Sequence, residues 1–146
     1  MQHKNRRFIY TFDFKVSPNP PEAPPITMDD IAAQLKVLMN KGEAVHMTRG
    51  DEVATRISDI AINPQQKTLK VLIQYADTNA SDPAFVHLKK GDLRVEPKLA
   101  GEGVATTAHF VVSTEATPVG SNRYVCALED VSGISRSHIQ PFLPPY

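Results

Sequence analysis

The stretch Arg56 to Tyr75, RISDIAINPQQKTLKVLIQY, constrains the fold more than any other. In its second half Leu69, Val71, Ile73 and Tyr75 alternate with Thr68, Lys70, Leu72 and Gln74. A period of two puts four apolar side chains on one face of a pleated strand, and β-branched and aromatic residues suit such a half-buried surface. In the first half Ile57 is followed by Ile60 and Ile62, which breaks strict alternation. One extra residue near Ser58-Asp59, a β-bulge, restores the register. Between the halves, Asn63-Pro64-Gln65-Gln66-Lys67 reverses the chain, because proline presets φ for a turn and donates nothing to a ladder. The expectation is a hairpin at the centre of the core.

The flanking segments extend this sheet. Phe8, Tyr10, Phe12 and Phe14 alternate with Ile9, Thr11, Asp13 and Lys15 in a strand with an aromatic face. That face reads first as core; the sharper reading is a stacking platform for single-stranded nucleic acid beside Arg6, Arg7 and Lys15. Ser17 to Pro25 holds five prolines in nine residues and reads as a stiff, extended connection. Thr27 then caps the one clear helix, with Asp30 able to close a capping box. Ile31, Leu35 and Leu38 form its apolar stripe, flanked by Met28, Ala32 and Met39. Ala44 to Thr48 is a short strand, and Arg49-Gly50-Asp51 a tight turn. Short strands follow around Phe85 to Leu88 and Leu93 to Val95, then longer ones over Val104 to Thr114 and Arg123 to Glu129. The last is apolar on both faces and therefore central. Ile134 to Ile139 begins a helix that Pro141 limits to a turn.

The chain of 146 residues is of single-domain size, with residues 1–7 expected to fray and 144–146 a tail or a truncated linker. Its 16 Lys and Arg balance 16 Asp and Glu. That balance excludes a chain that is strongly basic throughout and leaves only local patches for nucleic acid. No run approaches the ~18 apolar residues that a membrane span needs, and the first residues lack the apolar core of a signal peptide. The single cysteine, Cys126, excludes an internal disulfide framework and reads as a buried structural thiol. These features imply a reducing, cytoplasmic setting with no membrane partner.

The fold expected is α+β: a single mostly antiparallel sheet of about six strands, one main amphipathic helix packed on one face, and a short C-terminal helical turn. No catalytic, metal or cofactor motif emerges. His87 and His109 lie in separate strands without metal-ligand spacing. Glu96-Pro97-Lys98, at a strand end, has the Glu-x-Lys form of metal-dependent nucleases, with Asp77, Asp82 or Asp92 available as the upstream carboxylate; Pro97 interrupts it. The candidate nucleic-acid-binding residues are the clustered cations Lys4, Arg6, Arg7, Lys67, Lys70, Lys89, Lys90, Arg94 and Arg136. They form a phosphate-tracking patch only if the fold gathers them on one face. Acidic pairs at Asp29-Asp30, Asp51-Glu52 and Glu129-Asp130 equally suit a protein partner.

The second half also carries Glu96, Gly101-Glu102-Gly103, Ala108-His109-Phe110-Val111-Val112 and Leu128 to Ser135, leading to Ile139 and Phe142-Leu143. Over residues 44–143 this resembles the N-terminal domain of an uncharacterised prophage-borne family and, more remotely, RexA-type phage-exclusion proteins. The resemblance implies a cytoplasmic protein acting in conflict between phage and bacterium, often homodimeric and in the RexA case DNA-binding. It brings no site residue with it. The function expected is a non-enzymatic binding module contacting DNA or RNA. The alternatives are a protein-interaction, inhibitor or dimerisation domain that meets a phage or host protein through a strand edge, and a metal-dependent nuclease.

Overall fold

The computed structural model describes residues 8–16, 22–24 and 26–142. Eight strands and one α-helix follow in order: β1 (Ile9–Lys15), α1 (Met28–Asn40), β2 (Val45–Thr48), β3 (Val53–Asn63), β4 (Thr68–Asp77), β5 (Ala84–Val86), β6 (Leu93–Val95), β7 (Val104–Ser113) and β8 (Arg123–Glu129). Two 3₁₀ turns, Arg136–His138 and Gln140–Phe142, close the described chain. Six strands form one sheet in the order β1-β8-β7-β4-β3-β2, with every neighbouring pair antiparallel. The α+β architecture expected from the sequence is therefore present. The segments around Phe85 and Leu93 do not join that sheet; β5 and β6 pair only with each other as a separate two-stranded ribbon.

The β3–β4 hairpin sits in the sheet as its pattern requires. The register shifts between Ile57 and Asp59, and this bulge turns both Ile57 and Ile60 into the core. Ile62 stays exposed, because β2 pairs only with Val53 to Arg56 and leaves β3 as the sheet edge beyond that point. Lys67 closes the turn with φ of 53°. Beyond β4, the cross-strand rows run on into β7 and β8, where Ala108, Phe110, Val112, Cys126 and Leu128 are buried.

Helix α1 covers this face. Thr27 Oγ1 accepts the Asp30 N–H at 3.2 Å, and the Asp30 carboxylate accepts the Thr27 N–H at 3.1 Å, completing the capping box. Met28, Ile31, Ala32 and Leu35 are buried at i, i+3, i+4 and i+7, and Met39 continues the stripe. The stripe is thus rotated from the one expected: Leu38 flanks it and is exposed. Gly42, with φ of 73°, follows the helix end.

Strand β8 lies between β1 and β7, inside the sheet as expected. The aromatic face of β1 divides in two. Phe12 stacks on Phe110 with ring centroids 6.1 Å apart, and Phe14 lies 6.0 Å from Tyr124. Phe8 and Tyr10 are exposed instead of filling the core. Phe8 lies level with Asp130, one residue past the end of β8, so no strand backs it. At the other end of the fold, Ile134 and Ile139 anchor the C-terminal turns in the core. The expected frayed start and the tail at 144–146 lie outside the described residues, as does most of the proline-rich connection.

Candidate binding surfaces

The candidate cations occupy three separate places. Lys67 and Lys70 belong to the β3–β4 turn and the start of β4. Lys67 Nζ pairs with Glu115 Oε2 at 2.6 Å, and this hydrogen bond, followed by the carboxylate charge, raises the Lys67 pKa. Lys70 borders an open depression of about 580 Å³ along the turn, shared with Ile62, Asn63 and Gln66. Lys89, Lys90 and Arg94 are on the β5–β6 ribbon. Arg136 lies over the Phe12 ring, 5.5 Å from its centroid, and so belongs to the β1 side. Lys4, Arg6 and Arg7 lie outside the described residues.

The β4–β7 ladder runs from Thr68 opposite Ser113 to Asp77 opposite Val104. Lys67 and Lys70 are at its first end, and the chain leaves for the ribbon from its second. At ~3.4 Å per residue, those two ends of the ladder lie about 30 Å apart.

The ribbon is a built element. At its base Lys98 Nζ pairs with Asp82 Oδ1 at 2.6 Å, and the Lys98 N–H donates to the same oxygen at 3.2 Å. These hydrogen bonds hold the Asp82 carboxyl below its ordinary pKa. The Glu96 N–H donates to the Pro83 carbonyl at 2.9 Å. At the tip, His87 exchanges backbone hydrogen bonds with Asp92 and Gly91, and its Nδ1 accepts the Lys90 N–H at 3.1 Å. Between base and tip, the Arg94 guanidinium lies 4.6 Å from the Phe85 ring centroid and 3.3 Å from Glu96 Oε1. Phe85, Val86, Leu88, Leu93, Val95 and Leu99 are all exposed, Leu88 at 95%. The sequence marked the two strands but not their exposure, since short apolar runs read alike whether covered or bare.

The nuclease-like motif is divided by these contacts: Lys98 goes to Asp82, while Glu96 goes to Arg94. Among the described residues no group of three or more His, Cys, Asp and Glu side chains could hold a metal ion. His87 serves the ribbon tip, and His109 Nδ1 lies 3.2 Å from Glu129 Oε1 on the sheet. Cys126 is buried, with Sγ 3.3 Å from the Phe12 carbonyl, and desolvation pushes its thiol pKa up to about 12.

Strand β1 provides a further surface. The Asp130 N–H donates to the Phe8 carbonyl and the Val16 N–H to the Asn122 carbonyl. These bonds put the even-numbered residues of β1 in hydrogen-bonded pairs with β8. The backbone groups of Ile9, Thr11, Asp13 and Lys15 therefore point to the open edge. No helix among the described residues is long and apolar enough to cross a membrane. No family model matches the chain, and comparison with curated proteins and with solved structures finds no match.

Proposed function

We propose that this chain is a non-enzymatic binding module that engages a protein partner through the β5–β6 ribbon. One observation carries the reading: six large apolar side chains are exposed on the ribbon and its base, and among the described residues the ribbon's strands pair only with each other. A two-stranded ribbon alone is marginal in water, and a bare apolar cluster of this kind is characteristic of interaction sites. Lys98, Asp82 and the backbone bonds at the tip hold its shape in advance, which lowers the ordering cost of binding.

The test is capture from bacterial lysate, infected and uninfected, by the parent chain and by a Leu88→Glu/Leu93→Glu variant. The expected result is a protein captured by the parent, lost on the variant and retained after nuclease treatment. Capture unaffected by the double substitution would remove the ribbon from the reading.

Nucleic-acid contact is the second reading. Lys89, Lys90 and Arg94 share the same ribbon, and a two-stranded β-ribbon fits a DNA major groove. Binding that weakens steeply with salt and falls on Lys89→Gln/Lys90→Gln would favour it. The setting in phage–host conflict rests on the resemblance over residues 44–143 alone. For a homodimer, the open edge of β1 is the surface that fits.

A further inference from the structure

The sheet register aligns His46 of β2, Thr55 of β3 and Tyr75 of β4 in one row across the core-side face. The adjacent row, Ala44, Ile57, Ile73 and Ala108, is apolar and buried. The face thus changes from apolar to polar in a single step, and Thr55 is buried at 3% exposure. The C-terminal turn lies over this polar row. Its His138 ring meets Tyr75 edge-on, with centroids 5.0 Å apart. Between sheet and turn is a cavity of about 210 Å³, to which His46, Thr48, Arg49, Tyr75, Ser137 and His138 contribute, with Val53 and Pro141 as apolar wall.

The lining is one-sided in charge: it carries one arginine and no acid. Each of those six side chains can donate a hydrogen bond, and no carboxylate lines the cavity. His138 Nδ1 accepts the Ser135 N–H at 3.0 Å, so the proton of the neutral ring is on Nε2, which is a donor. The Arg49 guanidinium has no ion pair among the described residues. Its backbone has φ of 53°, followed by Gly50 at 65° and Asp51 at 70°. Glycine takes such angles freely, but arginine does so at a conformational cost. The chain keeps an arginine of strained backbone, without an ion pair among the described residues, at the rim of this cavity, and Asp51 of the same turn does not line it.

We infer that this cavity binds a phosphate group, either as the free ion or as the end of a small phosphate monoester. Its volume lies below the ~300–1,000 Å³ of a drug-sized pocket and suits a compact ion or terminal group. The donors come from four segments, β2, the β2–β3 turn, β4 and the C-terminal turn. Several donors with one cation suit the several acceptor oxygens of a phosphate. Arg49 supplies the opposing charge and the strongest hydrogen bonds.

The full chain, labelled with ¹⁵N, is titrated at constant ionic strength with inorganic phosphate, with O-phosphoserine and with acetate. Saturating shifts are expected at the amides of His46, Arg49, Ser137 and His138 with a phosphate ligand, and acetate binds about tenfold more weakly or less. Arg49→Gly removes the guanidinium and supplies the residue that the turn conformation favours. It should melt no lower than the parent and bind phosphate at least about tenfold more weakly. His46→Ala gives a second loss, and Lys70→Gln leaves binding unchanged. Tighter binding of O-phosphoserine assigns the source to a monoester and tighter inorganic phosphate to the free ion; either supports the site. Absence of saturation, acetate binding as tightly as phosphate, or parental binding by Arg49→Gly overturns it.

Discussion

Gly103→Ala probes the joint from which the ribbon leaves the sheet. A Cβ at this position would lie 2.9 Å from the carbonyl carbon of Asp77, 3.0 Å from its nitrogen and 3.0 Å from its oxygen. Carbon pairs prefer about 3.5–4.0 Å, so the overlap with that carbon is roughly 0.6–1 Å. The atoms met are backbone of β4, which the β3 and β7 ladders hold from both sides. They cannot swing away as a side chain would. Overpacking of this kind costs about 1–3 kcal/mol. At roughly 2–4 °C per kcal/mol for a chain of this size, the substitution should lower the melting temperature by about 2–12 °C. Far-UV circular dichroism measures the melt, and ¹H–¹⁵N spectra locate the disturbance, which should centre on the Asp77 and Thr78 amides. A melt within about 1 °C of the parent, with those amides unmoved, would show that the close approach does not exist.

Three other outcomes follow from local chemistry. Thr27→Ala removes the side-chain half of the capping box and should destabilise the chain by about 1 kcal/mol in urea melts, whereas Thr27→Ser should cost much less. Asp82 is held below the ordinary carboxylate value of 3.8 by its hydrogen bonds from Lys98. Its contribution is therefore present above the unfolded carboxylate pKa and is lost as pH falls through the lowered folded value. A carboxyl ¹³C titration should give a midpoint below 3.8 in the parent, returning to the ordinary range in Lys98→Met. For Cys126, burial raises the thiol from 9.0 to about 12. The native thiol should react slowly with a disulfide reagent at pH 8 and quickly in denaturant. The unfolded thiol ionises first, so stability falls as pH rises between about 9 and about 12. Rapid native labelling would refute the burial.

The parts of the fold that were legible are those set by local rules. The β3–β4 hairpin, its bulge at Ser58-Asp59 and the capping box at Thr27 each follow from a few adjacent residues. The errors arise where a neighbour decides. Leu38 fits the helical period as well as Met39 does, but the direction in which α1 crosses the sheet buries the latter. Phe8 and Tyr10 alternate with perfect period two and are exposed; Phe8 lies beyond the end of β8, whereas Tyr10 stands opposite Leu128 at the end of the sheet that the core does not cover. Leu88 and Leu93 resemble any short strand residue until the sheet is found to close without them.

The candidate sites were less legible for the same reason. Proximity in sequence groups cations within one turn or ribbon, but register decides which groups share a face. The β4–β7 ladder holds Lys70 near one end of the sheet, and Arg94 belongs to a separate ribbon whose chain leaves from the other. In the other direction, register brings together residues that no motif connects: His46, Thr55 and Tyr75 come from three strands and meet in one row. His138 reaches that row from a turn anchored by Ile134 and Ile139 in the core. A polar row at the end of an apolar sheet face is visible only once the bulge in β3 is counted, since one residue's error exchanges the two faces. The same hairpin that organises the core therefore also determines which polar side chains face the cavity beneath the C-terminal turn. A substitution that removed the bulge would disturb the phosphate site and the core together, whereas Arg49→Gly would separate them.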